Sequence, residues 1–268
     1  MIPVHERRVL EAHVRGVRVN QLLLQTDQEL NEYEKRELKE LIRMRMKGIP
    51  LQYLVHSQDF YGREFYVNTA VLIPRPETEG LVEHALARME GWNTVSLGRR
   101  PQILDFGTGS GCIGITLALE RMDARVWGSE ASMEAADVAH ENAKKYRVAN
   151  YDVLHCSDPP LALQYEQLPE LDVIVGNPPY LTSEDDIAAD VKAYEPPEAL
   201  FPPEGRDPLF YYAFLAELCE QKLSGEGFGA FEIAENRGAE TAGLFAARGF
   251  TTELAADLTG RTRYLLVK

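Results

Sequence analysis

Apolar and polar positions alternate in two different ways along this chain. Up to about residue 50 the pattern is helical. Leu38, Leu41 and Ile42 fall on one helical face, and Gly48 and Pro50 end the run. Thr26-Asp27-Gln28-Glu29 fits a capping box for this helix, with Asn31 to Glu34 as an overlapping alternative start. Residues Asp59 to Ile73 are rich in Phe, Tyr and Val and carry turn residues at Tyr61-Gly62-Arg63 and Asn68, which predicts a β-hairpin between two parts of the protein. From about Pro101 strands and helices alternate. Strands are expected over Gln102–Phe106, Ala124–Gly128, Tyr151–His155, Asp172–Gly176 and Phe228–Ile233, and helices over Ile113–Arg121, Met133–Tyr146, Asp207–Lys222 and Asn236–Arg248. Two last strands, Thr251–Ala255 and Arg263–Val267, have no helix between them and are read as an antiparallel pair. Repeated β-α units imply an α/β fold, a parallel sheet with helices on both faces.

Composition narrows this little. Across 268 residues, 45% hydrophobic and 26% charged is ordinary for a globular protein. The net charge of -14 argues against general affinity for a nucleic-acid backbone, which binding proteins neutralise with Lys and Arg. Cys112, Cys156 and Cys219 are far apart and are expected to be buried free thiols in a reducing cytosol. The start of the chain has no apolar signal segment, and no stretch approaches the roughly 20 apolar residues of a membrane span. A cytoplasmic monomer with no membrane contact is expected, and no metal, since none of the six histidines pairs at ligand spacing. The Arg43, Arg45, Lys47 cluster reads either as a surface for an acidic partner or, as the pattern favours, as a solvated helix face.

Chemistry enters with Gly176-Asn177-Pro178-Pro179-Tyr180, directly after the apolar run Leu171 to Val175. Such a turn at a strand end can grip a planar NH2 group. The Asn177 side-chain oxygen accepts one N–H and the Pro178 carbonyl the other. The prolines lack N–H groups and have fixed φ angles, which hold that carbonyl outward. Tyr180 either stacks on the gripped group or packs on the core; its position directly after the prolines favours stacking. The chemistry narrows to an amide or an adenine-type amine.

Asp105-Phe106-Gly107-Thr108-Gly109-Ser110-Gly111 follows the first strand of the repeated units and opens a helix. Glycines there allow a sharp turn and close approach of a ligand, and free N–H groups at the helix start favour an anionic group. The spacing is GxGxG and not the GxGxxG of a dinucleotide site. Glu130, 25 residues after Asp105 at the end of the next strand, is placed to bind ribose hydroxyls, and Asp105 to hold an ammonium group. A ligand with an amino-acid end and an adenosine end meets these demands, and S-adenosylmethionine is that ligand.

These segments, with Gly48-Ile49-Pro50-Leu51-Gln52-Tyr53, Leu72-Ile73-Pro74-Arg75-Pro76-Glu77-Thr78-Glu79 and Glu195-Pro196 before Ala199-Leu200, resemble the peptide chain release factor glutamine N(5)-methyltransferases of the HemK/PrmC type over nearly the whole chain. The Pro-Arg-Pro-Glu-Thr-Glu stretch separates this family from DNA adenine methyltransferases with the same Asn-Pro-Pro-Tyr turn. The resemblance implies a seven-stranded, Rossmann-like class I methyltransferase domain over residues 76–268, a small helical substrate-docking domain over 1–58 and a hairpin linker over 59–75. It implies methyl transfer from S-adenosylmethionine to the glutamine of the Gly-Gly-Gln loop of release factors. Gly107, Thr108, Gly109, Ser110, Gly111, Glu130 and Asp158 are then expected at the cofactor. Asn177, Pro178, Pro179 and Tyr180 are expected at the glutamine, with Asn177 also beside the cofactor. Two features depart from the family: Pro159-Pro160 replaces an aromatic or bulky apolar residue after Ser157-Asp158, and the N-terminal region is shorter by one or two helices.

Two other readings share these motifs: a ribosomal-protein glutamine methyltransferase, and a nucleic-acid adenine N(6)-methyltransferase with the flipped base on Tyr180. The net charge and the Pro-Arg-Pro-Glu-Thr-Glu stretch oppose the second. A non-catalytic module with the same fold is opposed by the intact Gly-rich and Asn-Pro-Pro-Tyr turns. Glu77, Thr78 and Glu79 either line the site or cap the next helix. Glu232 ends a strand on the ligand side of the sheet, where a carboxylate need have no role.

Overall fold

The computed structural model describes residues 2–22, 29–157 and 164–268. The chain starts with α1 (Val4–Val14), α2 (Val19–Leu22), α3 (Glu32–Met46) and α4 (Leu51–Val55). The Asn31 side chain accepts from the Glu34 N–H while the Glu34 carboxylate accepts from the Asn31 N–H, so the capping box forms at Asn31–Glu34. Thr26 to Gln28, the other proposed start, lie outside the described residues. Leu10, Leu38 and Leu54 bring α1, α3 and α4 together in their own small core, with Leu41 and Ile42 packed against it. Arg45 is not free in solvent: its guanidinium holds both carboxylate oxygens of Glu6 at 2.9 Å.

A hairpin follows, β1 (Gln58–Phe60) and β2 (Arg63–Phe65). Tyr61 and Gly62 have φ of 51° and 70°, the two left-handed residues of a tight hairpin turn. The pairing is shorter than the sequence pattern suggests. After Phe65 the chain leaves the ladder, and Asn68 bends it by accepting the Ala70 N–H on its side chain and the Val71 N–H on its carbonyl.

The remaining elements are α5 (Pro76–Arg88), α6 (Thr94–Leu97), β3 (Gln102–Phe106), α7 (Cys112–Glu120), β4 (Arg125–Glu130), α8 (Met133–Tyr146), β5 (Tyr151–His155), α9 (Gln164–Gln167), β6 (Leu171–Gly176), α10 (Ala189–Tyr194), α11 (Phe210–Lys222), β7 (Leu223–Glu232), α12 (Gly238–Ala246), β8 (Thr252–Ala256) and β9 (Thr262–Val267). Seven strands form one sheet in the order β5-β4-β3-β6-β7-β9-β8. The first five run parallel, and β9 is antiparallel to both β7 and β8. Alternation along each strand divides the core in two. Ile103, Val173 and Val175 face Leu81, Ile115 and the hairpin residues Phe60 and Phe65. Leu104, Ile174 and Phe231 face Tyr212, Leu215 and Phe245.

Some boundaries move for physical reasons. The Asp207–Pro208 segment stays outside α11 because Asp207 forms a turn ahead of the helix, accepting from the Leu209 N–H on its side chain at 2.7 Å and from the Phe210 N–H on its carbonyl at 2.9 Å. Strand β4 runs on to Glu130 because Ser129 and Glu130 pair with Leu154 and His155. All three cysteines are buried free thiols. No helix among the described residues is long and apolar enough to cross a membrane.

Candidate active site

The carboxyl ends of β3, β4 and β6 open into a cavity of about 940 Å³, at the upper end of the range for small-molecule sites. One part is walled by the Gly-rich turn and Glu130, and the other by Thr78, Asn177 and Pro179. Asn177 sits at the end of β6, next to β3, so strand order alone brings it beside the turn.

The turn is braced from below and from the side. The Thr108 N–H donates to the Ser129 carbonyl at 2.9 Å, and the Gly109 N–H to Glu130 Oε2 at 2.8 Å. Gly107 and Gly109 have φ of 68° and 54°. A Cβ at Gly107 would meet no atom within 4 Å and would project into the cavity floor, so the glycine keeps that floor clear. Glu130 accepts two further N–H bonds at Oε1, from Ala131 at 2.8 Å and Ser132 at 3.0 Å. Its carboxylate is thereby fixed in the cavity wall, and burial pushes its pKa up against the pull of these N–H groups. A glycine-lined floor next to a clamped strand-end acid fits the two ends of S-adenosylmethionine.

Asp105 does not reach the cavity. It is fully buried behind the turn, where Oδ2 accepts from the Thr108 hydroxyl at 2.5 Å and from the Gly114 N–H at 2.8 Å. Since Thr108 gives its proton to Asp105, the Tyr151 hydroxyl is the donor in its 2.8 Å contact with Thr108. Asp105 therefore braces the turn, in place of the expected contact with an ammonium group. Gly111 is the N-cap of α7 and also lies off the cavity surface. Asp158, with Pro159 and Pro160, lies outside the described residues. Ser110 lines the cavity, and its carbonyl accepts from Asn142 Nδ2 at 2.8 Å. Asn142 also exchanges two hydrogen bonds with the Tyr66 backbone, tying the linker to the turn. The signal available in the sequence was a polar residue at core spacing, four positions after Val138 on α8.

On the other side, Thr78 is buried in the first turn of α5 and lines the cavity. Its hydroxyl donates to Glu232 Oε2 at 2.6 Å and accepts from Asn177 Nδ2 at 3.4 Å. Thr78 thus lines the site and is no helix cap, whereas Glu79 serves the hairpin by accepting the Tyr61 N–H at 2.8 Å. Glu232 is buried at the end of β7, and its burial pushes its pKa up. Pro179 lines the cavity, while Pro178 and Tyr180 do not. The Tyr180 ring packs against the core, and its hydroxyl lies 3.4 Å from Glu232 Oε1 as donor.

The sheet order and the cavity at the strand ends define a class I methyltransferase. Solved structures agree on the fold: a methyltransferase from Pyrococcus furiosus superposes with a TM-score of 0.54 at 14% identity over 78% of this chain and 89% of that one. Precorrin-6y C5,15-methyltransferase from Geobacter metallireducens does so with a TM-score of 0.52 at 11% identity over 76% and 93%. Family models match as the PrmC N-terminal domain over residues 2–55 and the methyltransferase small domain over residues 92–193. The release factor glutamine methyltransferase of Bacillus anthracis is 35% identical over 97% of this chain and 90% of its own length. That of Neisseria gonorrhoeae is 35% identical over 100% and 94%. The chain belongs to the release factor glutamine methyltransferase family.

Proposed function

We propose that this protein methylates the side-chain amide nitrogen of the glutamine in the Gly-Gly-Gln loop of peptide chain release factors. The observation that carries the reading is the meeting of Asn177 and the Gly-rich turn in one cavity, in a chain related over nearly its full length to release factor glutamine methyltransferases. S-adenosylmethionine, when bound, supplies the methyl group as an electrophilic carbon on a sulfonium. Gly107, Thr108, Gly109, Ser110 and Glu130 would hold it.

The chain's own task is to make a poor nucleophile react. An amide lone pair is delocalised into its carbonyl. Asn177 Oδ1, on the cavity wall, accepts one N–H bond, and the Pro178 carbonyl accepts the other after the turn shifts to bring Pro178 from its place off the cavity to the amide. Together they aim the lone pair into the cavity and favour a pyramidal nitrogen. No strong base is required, because the nitrogen becomes acidic once it carries the methyl group. Orientation of this kind supplies several kcal/mol of a barrier, and acceptors facing developing positive charge supply more. In this reading Pro179 walls the amide, and Tyr180 stacks on it after turning from its core packing.

The test is methyl transfer from labelled S-adenosylmethionine to a bacterial release factor, beside its Gly-Gly-Gln→Gly-Gly-Ala variant and duplex DNA. Label on the wild-type factor alone is expected. Label on DNA, or on no release factor despite measurable cofactor binding, would overturn the assignment.

A further inference from the structure

We infer that Glu232, through Thr78, sets which end of the Asn177 amide faces the glutamine, and that both are positioning residues for the reaction. The inference rests on the function proposed above. A side-chain amide has an acceptor at one end and a donor at the other, and the two ends are nearly the same size. Asn177 can grip an NH2 group only with its oxygen toward the cavity. Turned over, it would present two donors to two donors. Some neighbour must therefore choose the orientation.

Thr78 makes that choice by proton count. A hydroxyl has one proton to give. Thr78 gives it to Glu232 Oε2 at 2.6 Å, so toward Asn177 it offers only a lone pair. The group facing it at 3.4 Å must then be the Asn177 NH2, as observed. Oδ1 is left for the cavity. Glu232 is suited to this role in its ionised form, in which both oxygens only accept and the relay runs one way. Its other oxygen lies 3.4 Å from the Tyr180 hydroxyl, so one buried acid holds both ends of the Asn-Pro-Pro-Tyr turn. Thr78 comes from α5, Asn177 directly follows β6 and Glu232 ends β7, with 154 positions separating Thr78 from Glu232.

Three variants separate this from a merely structural role. Glu232→Gln keeps the shape but adds an NH2 that can donate to Thr78, which frees the Thr78 proton for Asn177 Oδ1 and turns the amide over. Thr78→Val removes the relay, and Thr78→Ser retains it. For Glu232→Gln and Thr78→Val, kcat on the release factor should fall about 100-fold, the scale for a misplaced reacting group. Cofactor affinity should stay within about twofold, and Thr78→Ser should stay near wild type. Adding Thr78→Val to Asn177→Ala should cost nothing further, since the relay acts only through Asn177.

A second readout does not depend on the substrate. In the free 15N-labelled protein, the Asn177 side-chain NH2 resonances, identified by their loss in Asn177→Asp, should shift and exchange faster with solvent in Thr78→Val and Glu232→Gln. Folded Glu232→Gln protein with unchanged resonances and full kcat would overturn the inference. So would losses that multiply in the double variant. Should the wild-type protein label no release factor, the functional reading fails by itself, and the resonances still decide the orientation.

Discussion

Arg75 Nη2 donates to Glu195 Oε1 at 2.5 Å, and the other carboxylate oxygen of Glu195 accepts the Ile73 N–H at 3.1 Å. One buried side chain therefore ties the Pro74-Arg75 wall of the cavity to the wall that begins at Pro196. Glu195→Ala leaves a buried N–H without an acceptor and a guanidinium without its partner. Arg75 keeps about a third of its exposure, so water replaces part of the lost pairing. The expected loss is about 2 kcal/mol of stability, with Glu195→Gln milder because it still accepts from Ile73. Urea denaturation of the three proteins checks this, and equal midpoints for wild type and Glu195→Ala would count against the tie.

Asp105 carries a pH dependence whose sign is opposite to that of most carboxylates. Burial pushes its pKa up to about 7, outweighing the hydrogen bonds from Thr108 and Gly114. In the unfolded chain the group titrates near 4. Between those values the folded protein holds a proton that the unfolded chain has lost. The contribution is thus fully present below about pH 4 and is lost as the pH rises through 7, at no more than about 1.4 kcal/mol per pH unit. Asp105→Asn mimics the protonated form. Its stability relative to wild type should rise between pH 5 and pH 8. Thermal melts at the two pH values test this, and a constant difference would mean that Asp105 stays ionised when folded.

Local pattern carried much of this fold. Strands β3 and β5 and helix α8 lie where apolar spacing put them, because each is bounded by its own cap or turn. The first half of β7 was invisible: Gly225, Glu226 and Gly227 have no strand pattern, and they lie in an irregularity of the ladder, between Leu223, which pairs with Leu171, and Phe228, which pairs with Val173. The Gly-rich turn and Asn177 were legible because backbone conformation and proline chemistry are written locally. Thr78 and Glu232 were legible only as open options and Glu195 only as part of a family motif, since their partners lie far away in sequence. Asp105 shows the same limit in reverse. A strand-end acid can face the ligand or the helix behind it, and here the Gly114 N–H claims it.

Gly107 tests the floor of the cavity. Its φ of 68° is left-handed, so an alanine there costs roughly 1 kcal/mol of stability. The new methyl group would meet no protein atom within 4 Å and would instead occupy space in the cavity. Gly107→Ala should therefore stay folded and bind S-adenosylmethionine at least about tenfold more weakly, near 1.4 kcal/mol. Titration calorimetry reads the affinity directly. Unchanged affinity would move the cofactor away from this turn.

Asn177 separates binding from chemistry. Its amide stands at the end of β6 with Nδ2 toward Thr78, which leaves Oδ1 as an acceptor for the substrate amide. That contact strengthens as positive charge grows on the nitrogen. Its loss should therefore fall on the transition state more than on either bound ligand. Asn177→Ala should lower kcat by about 100-fold or more, the scale found for one preorganised group of this kind, and leave the dissociation constant of S-adenosylmethionine within about threefold, below 1 kcal/mol. Single-turnover methyl transfer, run beside equilibrium binding of the cofactor, distinguishes the two effects. Equal losses in both would show that Asn177 serves the cofactor and has no separate grip on the glutamine.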